Sequence, residues 1–126
     1  MKFSIDKHEK YVLFKLNESK LDSITSPALK SELIMINANG IRNIILQLSD
    51  VKLCDSKGLS ALLVANRLCT NSDGIFVLTG LQPTVEKVLQ ISHLEDVFNI
   101  VNSVSEAIDL IFMEEIEKDL KRELDN

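Results

Sequence analysis

The run Ile41–Leu48, IRNIILQL, constrains the fold of this chain more than any other stretch. It is almost wholly apolar, too short for a buried helix and rich in β-branched side chains, so it reads as a central strand. Before it, Phe3–Asp6 and Tyr11–Leu16 are short apolar or alternating runs separated by the polar stretch Lys7–Lys10. They read as an antiparallel pair of strands. Ser26-Pro27 follows, an N-cap with proline at the first helical position, where its missing N–H costs nothing. Leu29, Leu33 and Ile36 then repeat at helical spacing, and Asn39-Gly40 stops the helix.

After the central strand, a helix is predicted over Lys57–Asn71, with Ala61, Leu62, Ala65, Leu68 and Cys69 on its core face. Ser72-Asp73-Gly74 turns into a strand at Ile75–Thr79, a short helix covers Pro83–Ile91, and a brief strand covers Val97–Val101. The last helix opens at Ser103-x-x-Glu106, a capping-box pattern in which each side chain satisfies a backbone N–H of the other end. Its apolar stripe comprises Val104, Ile108, Ile111, Phe112 and Ile116. Strands alternating with helices after an opening hairpin imply an α/β fold: one domain with a mixed β-sheet and helices packed against it.

Composition narrows the function. With 126 residues, 45% of them hydrophobic and 26% charged, the chain suits one globular domain. No apolar run approaches the roughly 18–20 residues of a bilayer span, and MKFSIDKHEK has no signal-peptide core, so membrane insertion is not expected and a cytoplasmic location is. Fourteen basic against nineteen acidic residues give a formal charge of −5, and Lys118, Lys121 and Arg122 are interleaved with acids. Without a basic face, direct nucleic-acid binding is not expected. Cys54 and Cys69 read as buried, reduced thiols, and neither they nor His8 and His93 have ligand partners at metal spacing. No metal and no cofactor is expected. Beyond Met113 the chain is strongly charged, with Glu114–Lys118 and Glu117–Lys121 at i,i+4 spacing; it reads first as a solvated extension, with a partner-binding role as the second reading.

In α/β sheets functional groups collect at the carboxyl ends of strands, which directs attention to Asp50-Val51-Lys52-Leu53-Cys54-Asp55-Ser56-Lys57-Gly58-Leu59. Either Ser56 or Asp55 suits the N-cap of the following helix, and an acid there is favoured by the helix dipole. Gly58 in the first turn leaves room for a partner or a phosphate to approach the backbone. Catalytic patterns are missing: there is no G-x-S-x-G around Ser56, no base near it in sequence, no G-x-x-x-x-G-K-[ST] and no G-x-G-x-x-G. The chain does not read as an enzyme.

The stretch Ile41–Leu63, IRNIILQLSDVKLCDSKGLSALL, resembles the signature of the STAS domain, specifically of bacterial anti-sigma factor antagonists: a hydrophobic strand, a short loop with aspartate, then D-S-[ST]-G-L at a helix start. Asp55-Ser56-x-Gly58-Leu59 matches that motif, Leu21-Asp22 matches the family's L-D before the first helix, and the element order fits over nearly the whole chain. The resemblance implies a STAS-like domain over residues 1–113, with 114–126 as a charged helical extension. It further implies a protein–protein switch that regulates sigma factor release and hence transcription; a freely exchanging switch is most simply a monomer. In it Ser56 is phosphorylated by an anti-sigma factor that is also a serine kinase, the unphosphorylated form binds that partner, and a phosphatase resets the cycle. Carried over, Ser56 is the phosphoacceptor, Asp55 its motif neighbour, and Asp22 a residue of the same surface. Lys57 departs from the small hydroxyl residue usual after the acceptor.

The partner surface predicted on this basis comprises Asp22, Asp55, Ser56, Lys57, Gly58, Leu59 and Leu63. The two leucines, at i,i+4 beside the core face, read equally as an exposed anchor patch and as a widening of the core stripe. Ser60 is a second hydroxyl one turn along, and Ser103 and Ser105 read as caps. A STAS accessory subunit of a membrane transporter is the alternative function.

Overall fold

The computed structural model describes residues 1–125, so Asn126, the last residue of the charged extension, lies outside the described residues. Strands β1 (Phe3–Lys7) and β2 (Val12–Leu16) form the opening antiparallel pair. A two-residue strand β3 (Lys20–Leu21) leads into helix α1 (Ser26–Ala38). The central strand is β4 (Ile44–Gln47), followed by a second two-residue strand, β5 (Leu53–Cys54), and helix α2 (Ser56–Asn71). Strand β6 (Phe76–Thr79), helix α3 (Pro83–Ile91), strand β7 (Asn99–Val101) and helix α4 (Val104–Asp125) complete the chain.

The main sheet has the order β1-β2-β4-β6-β7, antiparallel between β1 and β2 and parallel from β2 onward. Side chains alternate across it, as the pleat requires. Ile44 and Leu46 of β4, with Phe14 and Phe76, join a core shared with Leu29 and Leu33 of α1, Leu62 and Ala65 of α2 and Val85 of α3. Ile45 and Val77 face the other way, onto Ala107 and Ile111 of α4. Helices thus cover both faces, and a strand buried on both sides reads as a continuous apolar run, the property that marked IRNIILQL.

Several boundaries differ from expectation. The central strand begins at Ile44 rather than Ile41: on the β6 side, Asn43 Oδ1 takes the Ile75 N–H at 3.0 Å in place of a backbone carbonyl. Thr25, not Ser26, is the N-cap of α1; its side chain makes no cap bond, and Ser26 is buried. The pair β3–β5 was not predicted. The capping box at α4 forms with a shift: Ser103 Oγ accepts from Glu106 N at 3.2 Å, while Glu106 Oε2 accepts from Asn102 N, one residue before the cap, at 3.0 Å. The outer members of the predicted stripe, Phe112 and Ile116, are exposed, and the buried line is Ala107, Ile111 and Glu115.

The charged stretch is likewise not uniformly solvated. Glu115 is buried, receiving Arg42 Nη2 at 2.6 Å, Arg42 Nε at 3.2 Å and Asn43 Nδ2 at 2.7 Å. Burial raises its carboxyl pKa, but the hydrogen bonds from Arg42 and Asn43 and the charges of Arg42 and Lys118 more than offset this and hold it below the ordinary value.

Candidate functional site

The carboxyl ends of β3 and β5 create the site. Their parallel register pairs Lys20 with Leu53 and Leu21 with Cys54, so the next position on each strand is an aspartate, Asp22 on one and Asp55 on the other. Adjacent strands lie roughly 5 Å apart, and both aspartates line one cleft. The pairing is locked by backbone bonds from Lys52 N and Leu53 N to Ser19 O and from Asp55 N to Leu21 O.

Each aspartate starts a helix. Asp22 Oδ1 accepts from Ile24 N at 3.0 Å and Thr25 N at 3.3 Å, and its carbonyl accepts from Ser26 N, which turns the chain into α1. Asp55 is the N-cap of α2: its Oδ1 accepts from Lys57 N at 2.9 Å and Gly58 N at 3.0 Å. The cap left open by the sequence is therefore Asp55. Ser56 occupies the first helical position, exposed, with its hydroxyl outside the cap bonds.

Gly58 has a different use from the one expected of it. It is buried, and a Cβ built there would fall 2.4 Å from the Leu21 carbonyl oxygen and 2.8 Å from Cys54 Sγ. The missing side chain lets α2 start against β3; it does not open the backbone to a phosphate or a partner. Leu59 is also taken into the core, and Leu63 is half-buried against it. The core reading accounts for Leu59, since a side chain sealed under the helix presents no anchor.

Exposed apolar side chains near the aspartates come instead from Ile24, 86% exposed in the turn that Asp22 organises, and from Leu53 of β5, 56% exposed. Leu53 lines the cleft of about 430 Å³ with Lys20, Asp22, Lys52, Cys54, Asp55, Thr84 and Val88. Thr84 Oγ1 donates to Lys52 O and Gln82 Nε2 to Ser49 O, so the start of α3 forms the opposite wall. Sequence reasoning missed Ile24, Lys20, Lys52 and Thr84. An isolated isoleucine in a turn was the one local signal, and the lysines are drawn together only by the β3–β5 pairing.

His8 pairs with Asp6 at 2.9 Å beside the β1–β2 turn, and neither His8 nor His93 lines the cleft. Cys54 and Cys69 are free and buried. Burial, with Asp55 nearby, pushes the Cys54 thiol up to about 11, and burial pushes Cys69 to about 12, far from the thiolate a reactive cysteine needs. Among the described residues no group of three His, Cys, Asp or Glu side chains is placed to hold a metal ion, and no helix is long and apolar enough to cross a membrane. What the geometry offers is an exposed hydroxyl on a rigid helix start, beside two aspartates and a cleft rimmed by lysines.

Comparison with known proteins follows the same lines. A family model for the STAS domain matches residues 2–107. A Thermotoga maritima protein named "Putative anti-sigma factor antagonist" is 33% identical over 70 residues, which make up 56% of this chain and 62% of that protein, so the match spans less than two thirds of that relative. The crystal structure of a Thermotoga maritima protein so described superposes with a TM-score of 0.79 at 26% identity, covering 86% of this chain and 93% of the other. The Bacillus cell fate determinant SpoIIAA in its phosphorylated form shares the fold, with a TM-score of 0.68 at 23% identity over 87% of this chain and 99% of the other.

Proposed function

This chain belongs to the STAS domain family, and we propose that within it the chain acts as an anti-sigma factor antagonist, switched by phosphorylation of Ser56. The observation that carries this reading is the division of work at the start of α2. Asp55 makes the cap, and Ser56 is left exposed with its hydroxyl uncommitted to the cap. The partner is an anti-sigma factor that is also a serine kinase; it binds the unphosphorylated chain in the cytoplasm, releases its sigma factor, and is counteracted by a phosphatase that restores Ser56. The name of the Thermotoga relative supports the same role.

The switch follows from electrostatics. Phosphorylation adds roughly −1.5 to −2 charges. A helix N-terminus accommodates an anion, so the fold survives. The N–H groups of Lys57 and Gly58 are already engaged by Asp55, however. The phosphate is therefore added beside a carboxylate, with Asp22 in the adjoining register position, and the new charge is presented outward to whatever docks there. Lys57 supplies a neighbouring cation that moderates this charge. Contact with the partner runs through Asp22, Asp55, Ser56 and Lys57, with Ile24 and Leu53 as apolar anchors in place of Leu59. Lys20 and Lys52, on the rim of the cleft, select a partner surface carrying carboxylates.

The test is intact-mass spectrometry after incubation with ATP and the purified candidate kinase, beside a Ser56→Ala control. One added phosphate that is absent from the control is the expected result. A phosphate that persists in Ser56→Ala, or a kinase that binds the chain without modifying it, overturns the assignment of Ser56 as acceptor.

A further inference from the structure

We propose that the outer face of α4 is a docking site for a basic amphipathic helix of another protein, an interaction independent of Ser56. A surface helix ordinarily carries one apolar stripe, facing the core; α4 carries two. The inner one is Ala107 and Ile111, ending in Glu115. The outer one recurs every four residues as Phe112, Ile116, Leu120 and Leu124, with Met113 alongside, and all five side chains are exposed, Ile116 at 59% and Leu120 at 52%. At 100° per residue, Ile116 and Leu120 point almost directly away from the sheet. From Asp119 to Asp125 every residue of the helix is exposed. A helix owes most of its stability to packing, and these turns bury no side chain within the domain.

Charge selects the occupant. Asp109 and Glu123 lie seven residues before and after Ile116, on its own face, and Glu117 borders the stripe; all three are exposed. Of the bases of α4, Lys118 donates to the Asp73 carbonyl and Arg122 reaches Asp119 at 3.6 Å, while Lys121, one turn after Glu117, lines a surface depression with it and lies further round the helix from Ile116 and Leu120 than Glu117 does. The outer face is therefore apolar with an acidic rim. A second copy would set acid against acid, and an anionic membrane surface would be repelled. A helix with leucine-like anchors at i,i+4 spacing and Lys or Arg beside them matches both the stripe and the rim.

The experiment titrates two synthetic helical peptides with the same leucine face into the full chain, one flanked by Lys and Arg, the other by Glu. Binding is read by fluorescence anisotropy and by backbone NMR shifts. The basic peptide is expected to bind with an affinity that falls as salt rises and to shift resonances of α4, leaving Asp22 and Asp55–Lys57 unmoved. Ile116→Ser combined with Leu120→Ser should weaken it by about tenfold or more, and Glu117→Lys combined with Glu123→Lys should reverse the preference between peptides. All four positions are exposed, so unchanged circular dichroism serves as the folding control. Equal binding of both peptides, unchanged binding to the serine variant, shifts confined to the Ser56 end, self-association abolished by the serine substitutions, or tighter binding to anionic vesicles than to the peptide would each overturn the proposal.

Discussion

The two ends of the sheet solve opposite problems with the same residue types. At the amino end, Glu115 is buried under three hydrogen bonds, and Asn43 ties in two more segments by donating to Lys10 O and accepting from Ile75 N. At the carboxyl end, Asp22 and Asp55 touch only the backbone of the turns they start, and Ser56 stands exposed beside them. Carboxylates at one end hold distant elements together; at the other they shape a surface. The difference is one of desolvation: a buried charge needs every partner it has, whereas a wet one leaves charge and hydroxyls available to a visitor. A phosphate is tolerable only at the second end.

Substitution at the amino end should show the largest effect. Glu115→Ala removes the acceptor from Arg42 and Asn43. Loss of a buried ion-pair partner costs 3–5 kcal/mol, and with Arg42 still 29% exposed through its side chain the cost here should be roughly 3 kcal/mol. That corresponds to a melting temperature lower by roughly 10 °C. Because the folded Glu115 pKa is depressed, its contribution is fully present above the ordinary Glu value of 4.5 and is lost as pH falls through the folded value. Melts of wild type and Glu115→Ala across acid pH should therefore converge below that point. A constant gap would show that Glu115 acts by packing alone.

Asp55→Ala sharpens the comparison from the other side. It removes an N-cap and should cost about 1 kcal/mol, fraying the first turn of α2, and hydrogen exchange at Lys57 and Gly58 should accelerate while the amides of β4 and β6 stay protected. Loss of protection across the whole sheet would mean that the carboxyl end is as structural as the amino end.

What the sequence disclosed divides along the same line. The parallel strands, the four helices and the Asp55-Ser56 junction were legible because each is written locally, in a run, a cap or a motif. The pairing of Lys20–Leu21 with Leu53–Cys54 was not: two residues carry no periodicity, and the contact closes over more than thirty positions. Nor was Glu115, which sits in a run of charges that reads as solvent-facing; its partner Arg42 is 73 residues away. The leucines at 59 and 63 were left undecided for a related reason. A helix wheel locates the core stripe but not its width, and the width of this one is set by how closely Gly58 brings α2 onto Leu21.

The central claim is that the Ser56 end changes what the chain binds without changing what holds it together. It is tested most directly by measuring Ser56→Asp twice, in a thermal melt and in a titration against the anti-sigma factor kinase. The account predicts a melting temperature within about 3 °C of wild type and an affinity lower by about tenfold or more. A variant that melts markedly lower while binding the kinase as tightly as wild type would contradict it.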